Sequence, residues 1–205
     1  MAPTNDTSKA TTVLATRWTA LFAVAALLMG VWPTRATTVI APSFDELVSQ
    51  ADTIFIGEVV ERRSAWETRS DGRSIVTIVT FDVTRVLKGR VGLRTELTFL
   101  GGTIGEVTLD VPDMPKFRVG DRDVLFVSPE RNAVSPLVGF SHGRFRIVRD
   151  VVTGAQQVRA HDGRPVVMGL DAGKPVTPNA QPRRPLVLDD FESLVRERVQ
   201  SRQAR

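Results

Sequence analysis

The chain has 205 residues, a formal net charge of +4, two histidines, and neither cysteine nor tyrosine. No disulfide, thiol nucleophile or thiolate metal site can form, so stability has to come from core burial. The positive surplus is small and follows arginine content rather than a concentrated basic field, which argues against a nucleic-acid partner.

Lys9 and Arg17 precede an apolar run, Ala20–Trp32, and "PTRATT" follows with small residues at Thr34 and Ala36. This is the order of a secretory signal. Residues 1–36 are read as a signal peptide cleaved after Ala36, with Thr37 as the mature N-terminus. The apolar run is shorter than the ~20 residues needed to span a bilayer, so membrane contact is expected only through the signal, before cleavage. No cysteine follows it for a lipid anchor, and no Arg-Arg pair precedes it for twin-arginine export. The expected destination is the periplasm, the cell surface or the medium. The mature chain is one domain by size, with bulk enough for a core.

After a short extended lead, Ser43 with Glu46 three residues on reads as a capping box. Phe44, Leu47, Val48 and Ala51 follow helical spacing, so a short amphipathic helix is expected here. "TIFIGEVVERRSAWE" is a strand, and Gly57 inside it marks a bulge or bend. Asp71-Gly72 is a hairpin turn signal. "SIVTIVTFDVTRVL" then forms a long strand, with Val79, Phe81, Val83 and Leu87 expected on one face. A strand this long, apolar on both faces at its start, must coil, and coiled strands with an early glycine bend belong to small closed barrels.

A third strand carries Leu93, Leu97 and Phe99 on its inner side, and "EVTLDV" is a short fourth piece. "VLFVS" (124–128) is apolar throughout and is expected at the centre of the sheet. "GRFRIVRD" alternates Phe145 and Ile147 against Arg144 and Arg146. Thr153-Gly154 and Asp162-Gly163 then signal hairpin turns. Residues 171–188 are proline-rich and poor in large apolar groups, a linker. Residues 189–205 close the chain as an amphipathic helix with Phe191, Leu194, Val195 and Arg198 on one face. The expected architecture is mainly β: residues 37–170 form a small OB-like Greek-key barrel with an N-terminal short helix and an extra β-hairpin, followed by the linker and the C-terminal helix.

Ala51-Asp52, Val59-Val60, Val86 and Lys88-Gly89 carry a resemblance across residues 47–128. The chain resembles the N-terminal domain of tissue inhibitors of metalloproteinases and the related netrin-type module, and is similar to a group of exported bacterial proteins. The resemblance implies an OB fold and a secreted zinc protease as partner. Those inhibitors chelate the protease zinc with the α-amine and carbonyl of an N-terminal cysteine held by disulfides. This chain has no cysteine, so the resemblance leaves that role to Thr37, with Thr38 beside it.

Among other patterns, "GFSHG" (139–143) matches the G-x-S-x-G of serine hydrolases around Ser141, with His142 inside it and His161 later in the chain. That chemistry needs a strand-to-helix turn, and a strand follows here, so a glycine-flanked turn is the expected structure. Asp110, Asp113, Asp121 and Asp123 match no calcium loop, and His142 with His161 makes a poor zinc set; no metal or cofactor is expected. Arg62, Arg63, Arg69 and Arg73 gather around the first hairpin with Trp66 among them. An exposed tryptophan beside arginines is a contact hot spot for a protein partner. The sequence reading is a non-enzymatic exported binding module, protease-inhibitor-like, with Thr37, Thr38, Arg62, Arg63 and Trp66 as contact residues and no catalytic residue. The alternatives are a cell-envelope structural or carbohydrate-binding protein, or a hydrolase built on Ser141.

Overall fold

The computed structural model describes residues 42–69, 72–128, 134–167 and 184–203. Thr37, Thr38, the signal segment and most of the expected linker lie outside them. The elements in order are α1 (Phe44–Gln50), β1 (Thr53–Arg69), β2 (Gly72–Lys88), β3 (Arg94–Leu100), β4 (Gly102–Ile104), β5 (Val107–Leu109), β6 (Arg122–Val127), a 3-10 turn (Phe140–Gly143), β7 (Arg144–Arg149), β8 (Gln156–Arg159) and α2 (Leu188–Gln203). The protein is mainly β, as its strand patterning predicts. Six strands form one antiparallel sheet in the order β3-β2-β1-β6-β7-β8, and β4-β5 form a separate small hairpin. The sheet is open, with no pairing between its edge strands among the described residues, so the expected closed barrel is not what the ladder shows.

The capping box forms as read: Glu46 N–H donates to Ser43 Oγ, and Ser43 N–H donates back to the Glu46 carboxylate at 2.7 Å. Phe44, Leu47 and Val48 face inward from α1. β1 and β6 explain the position of the core. Ile54, Ile56, Val124 and Phe126 point to the helix side, where they pack with Phe44, Phe145, Phe191 and Val195. Phe55, Val59, Leu125 and Val127 point to the other side, with Val79, Phe81, Leu97, Phe99 and Phe117. Strands buried on both faces read as unbroken apolar runs rather than alternations, which is why residues 124–128 look central in sequence.

Gly57 sits at a register shift, as expected of an interior glycine. A Cβ there would meet Phe55 Cε2 at 3.1 Å and Phe81 Cβ at 3.2 Å. Two expectations for β2 and β3 need correction. Leu87 packs with the helix-side cluster rather than with Phe81, because the irregularities between Ile54 and Gly57 turn the end of the ribbon over. Leu93 is 87% exposed and precedes β3, so it contributes nothing to the core. The expected extra hairpin is β7-β8, which extends the main sheet through the turn at Gly154. Leu186 is buried and Val187 bridges Gln157, so the chain just ahead of α2 already runs along β8.

Lys88-Gly89 ends β2 for a physical reason. Lys88 Nζ donates to the carbonyls of Val48 and Ala51, at 2.8 and 2.5 Å, and so caps the C-terminus of α1, where a cation is favoured. Burial pushes its ammonium pKa down, and Arg202 adds to that. Gly89 has φ +73°, and a Cβ there would lie 2.4 Å from the Asp52 carbonyl oxygen.

Candidate functional site

The β1-β2 ribbon outruns the sheet. β6 pairs with β1 only over Thr53–Glu58, and β3 pairs with β2 only over Val76–Asp82. From Trp66 and Ser74 outward, no third strand pairs with the ribbon among the described residues. The register places Arg62, Ser64 and Trp66 opposite Val79, Thr77 and Ile75. Side chains alternate along a strand, so these six share one face of the ribbon, the face that continues into the Phe55–Phe81 cluster.

A cavity of about 250 Å³ opens on this face, between the ribbon, the end of β3, the β4-β5 hairpin and the 110–117 loop. Phe99 and Phe117 line it together with Arg62, Ser64, Thr77 and Thr108. Thr77 Oγ1 donates to the Gly101 carbonyl at 2.7 Å. At Gly102, φ is +144° and a Cβ would stand 2.6 Å from Thr77 Oγ1 and 2.7 Å from Ser64 Oγ, so glycine is needed for the hairpin to approach.

The structure divides the arginines and tryptophan read from sequence. Trp66 is 40% exposed, and the Arg73 guanidinium lies over its ring at 4.6 Å. That contact holds the indole without covering it. Arg62 lines the cavity and pairs with no acid among the described residues. Arg63 stands on the opposite face of the ribbon, between Glu61 and Glu96 at 3.7 and 3.8 Å, so its charge is answered locally. Trp66 and Arg62 are thus brought to one face and Arg63 is not; Thr37 and Thr38 are outside the described residues.

The serine of the G-x-S-x-G pattern is buried in the 3-10 turn, and Gly143 leads directly into β7. This is a loop-to-strand connection and lacks the strand-to-helix elbow that exposes a nucleophile. Gly139 and Phe140 both have positive φ, 61° and 58°, and Pro42 packs on Gly139. His142 and His161 meet edge to face with ring centroids 4.5 Å apart. Burial, followed by the neighbouring His161, lowers the His142 pKa. No group of three or more histidine, aspartate or glutamate side chains suited to a metal occurs among the described residues.

Asp121 and Asp123 serve an ion cluster that the sequence reading missed, while Asp110 pairs with Lys116. Arg144, taken as the outward partner of Phe145, is 5% exposed. Its guanidinium donates to both oxygens of Asp123 at 2.9 Å, to Asp121 at 2.8 Å and to the Lys116 carbonyl at 2.7 Å, and stacks on Phe117 at 4.1 Å. Burial pushes the Asp123 carboxyl pKa up against the pull of Arg144. For Asp121 burial also pushes upward, but the Arg118 N–H and Arg144 outweigh it and hold the carboxyl below its usual range. The signal was present in the sequence as Asp-x-Asp ahead of an alternating Arg-x-Arg strand. Alternation alone reads such arginines as solvated.

No family model, no curated protein and no solved structure matches the chain.

Proposed function

We propose that the protein is an exported, non-enzymatic binding module on an OB-like scaffold that grips a partner protein through the outer half of the β1-β2 ribbon. The observation that carries this reading is the ribbon arm beyond the reach of a third strand, with exposed Trp66 held by Arg73 on the same face as the adjoining cavity and Arg62, which pairs with no acid among the described residues. A fixed aromatic beside an unanswered cation, next to a recess, is the composition of an interface hot spot. The strand order supports the OB reading: β1-β2-β3 as a meander, β6 on the far edge of β1 and β7 on β6 is the pairing order of a partly open Greek-key barrel.

The partner class is a secreted zinc protease, by the likeness in residues 47–128, with Thr37 as the zinc-directed end. The test uses the mature protein from Thr37 and zinc endopeptidases purified from the same culture medium. Inhibition of peptide hydrolysis is expected, weakened roughly tenfold or more by Trp66→Ala and abolished by one residue added before Thr37. Equal inhibition with and without the added residue removes Thr37 from the mechanism. Absence of both inhibition and binding removes the protease, and an unchanged affinity of Trp66→Ala removes the ribbon arm as the contact.

A further inference from the structure

A second concavity, of about 260 Å³, lies at the other end of the sheet, where the 120–122 turn meets the β7-β8 hairpin. Arg122, Arg146, Arg149 and Gln156 line it together with Asp121. Its charges can be assigned one by one. Arg144 and Arg146 answer Asp121 and Asp123, with Arg146 3.4 Å from the outer oxygen of Asp121. That quartet is neutral, and Arg144 and Asp123 within it are buried, so it forms a fixed base. Arg122 and Arg149 then remain as two guanidinium forks in no ion pair among the described residues, although Glu58 stands opposite Arg122 in the β1-β6 ladder. The Gln156 side-chain amide is also without a partner there. Asp150 next door is taken up by Thr153 and by Gln157 at 2.8 Å. In the ladder, Arg146 stands between Asp123 on β6 and Arg159 on β8, so the carboxylates of the quartet already answer its charge.

We infer that this concavity is an oxyanion site, taking a phosphate or sulfate group between the Arg122 and Arg149 forks, with the Gln156 amide as an additional donor from the same face of the sheet. Arginine suits this role because its planar donors match the oxygens of a phosphate or sulfate two at a time. Among the described residues the lining holds no aromatic ring and one apolar side chain, Ile147, so recognition rests on the charged group rather than on an apolar body. The site is separate from the ribbon arm and stands whether or not a protease binds there.

The test titrates the mature protein with inorganic phosphate, with sulfate and with glucuronate at low ionic strength, following arginine Nε–H and glutamine side-chain resonances. Saturable shifts at Arg122, Arg149 and Gln156 are expected with phosphate or sulfate. Tighter phosphate binding assigns a phosphomonoester, and equal or tighter sulfate binding assigns a sulfate ester. Arg122→Ala and Arg149→Ala should each weaken binding roughly tenfold, while Arg90→Ala, an exposed arginine elsewhere, should leave it unchanged. Melting curves confirm that each variant is folded, and Arg149→Gln stands in for a variant that is not. An equal loss in Arg90→Ala would show diffuse attraction to net charge and overturn the proposal. So would non-saturable shifts, or binding of glucuronate alone.

Discussion

The two halves of the β1-β2 ribbon have the same pairing and opposite fates. In the inner half, Ile54, Phe55, Ile56, Val59 and Phe81 are buried, and β6 pairs along the edge of β1. In the outer half, Trp66, Thr68, Gly72 and Arg73 are exposed, and among the described residues no third strand pairs with the two. An isolated two-stranded ribbon is marginal in water, so the outer half borrows its order from the inner half. Burial, not β-propensity, separates the two. Stability should concentrate in one half and binding in the other, and substitutions can break that division.

The largest effects belong to the buried half and the ion cluster beside it. Phe81→Ala should cost about 3–5 kcal/mol, since Phe81 is fully buried against Phe55 and Phe117 and its loss leaves a cavity. A urea midpoint that does not move would place the core elsewhere. Asp123→Ala should cost a similar ~3–5 kcal/mol, because Arg144 would keep its burial and lose its bidentate partner. If Asp123→Ala is tolerated but Phe81→Ala is not, the ion cluster contributes specificity of register rather than stability.

An intermediate effect is expected where the inner half ends. Gly89→Ala should destabilise by roughly 1–3 kcal/mol, since alanine is strained at positive φ and has no room beside the Asp52 carbonyl. Thermal unfolding checks it, and an unchanged melting temperature would mean that the α1 junction gives way freely.

Acid should reveal the ion cluster through Asp121. Its pKa is lowered in the folded protein, so the folded state binds this proton less readily than the unfolded chain does. Its contribution is therefore fully present above the ordinary aspartate pKa of about 4 and is lost as pH falls through the lowered folded value. Asp121→Asn should be less stable than the parent near neutral pH, and the gap should close on acidification. Urea titrations at neutral and acid pH measure the gap; a gap that widens in acid would reverse the sign assigned to Asp121.

The sequence made local features legible and left long-range ones hidden. The capping box at Ser43, the bulge at Gly57, the hairpin after Arg69 and the central place of residues 124–128 are all set by neighbours in the chain, and each is found where its pattern puts it. Leu87 and Leu93 went astray because alternation assumes an unbroken pleat. The ribbon breaks register near one, and the other lies just ahead of its strand. Arg144 and Lys88 were missed for a different reason. A charged side chain is buried when partners distant in sequence converge on it, here Asp121 and Asp123 for one and the end of α1 for the other. The cavity beside Arg62 likewise needs the β4-β5 hairpin to return over the ribbon.

The smallest effect on stability, and the most telling for the comparison, is expected at Trp66. The indole is 40% exposed, and the Arg73 guanidinium lies over its ring, a contact worth about 0.5–1 kcal/mol at an exposed site. Trp66→Ala should therefore move the folding free energy by no more than about 1 kcal/mol, as surface changes do. Amide exchange should quicken in the outer half alone, at residues such as Glu67 and Ser74, and stay unchanged around Phe81. The same substitution should produce the larger change in partner affinity. A shift in the global unfolding midpoint comparable to that of Phe81→Ala would mean that Trp66 closes the cavity and completes the core. The ribbon would then be one structural unit, and its outer half would have no surface to spare for a partner.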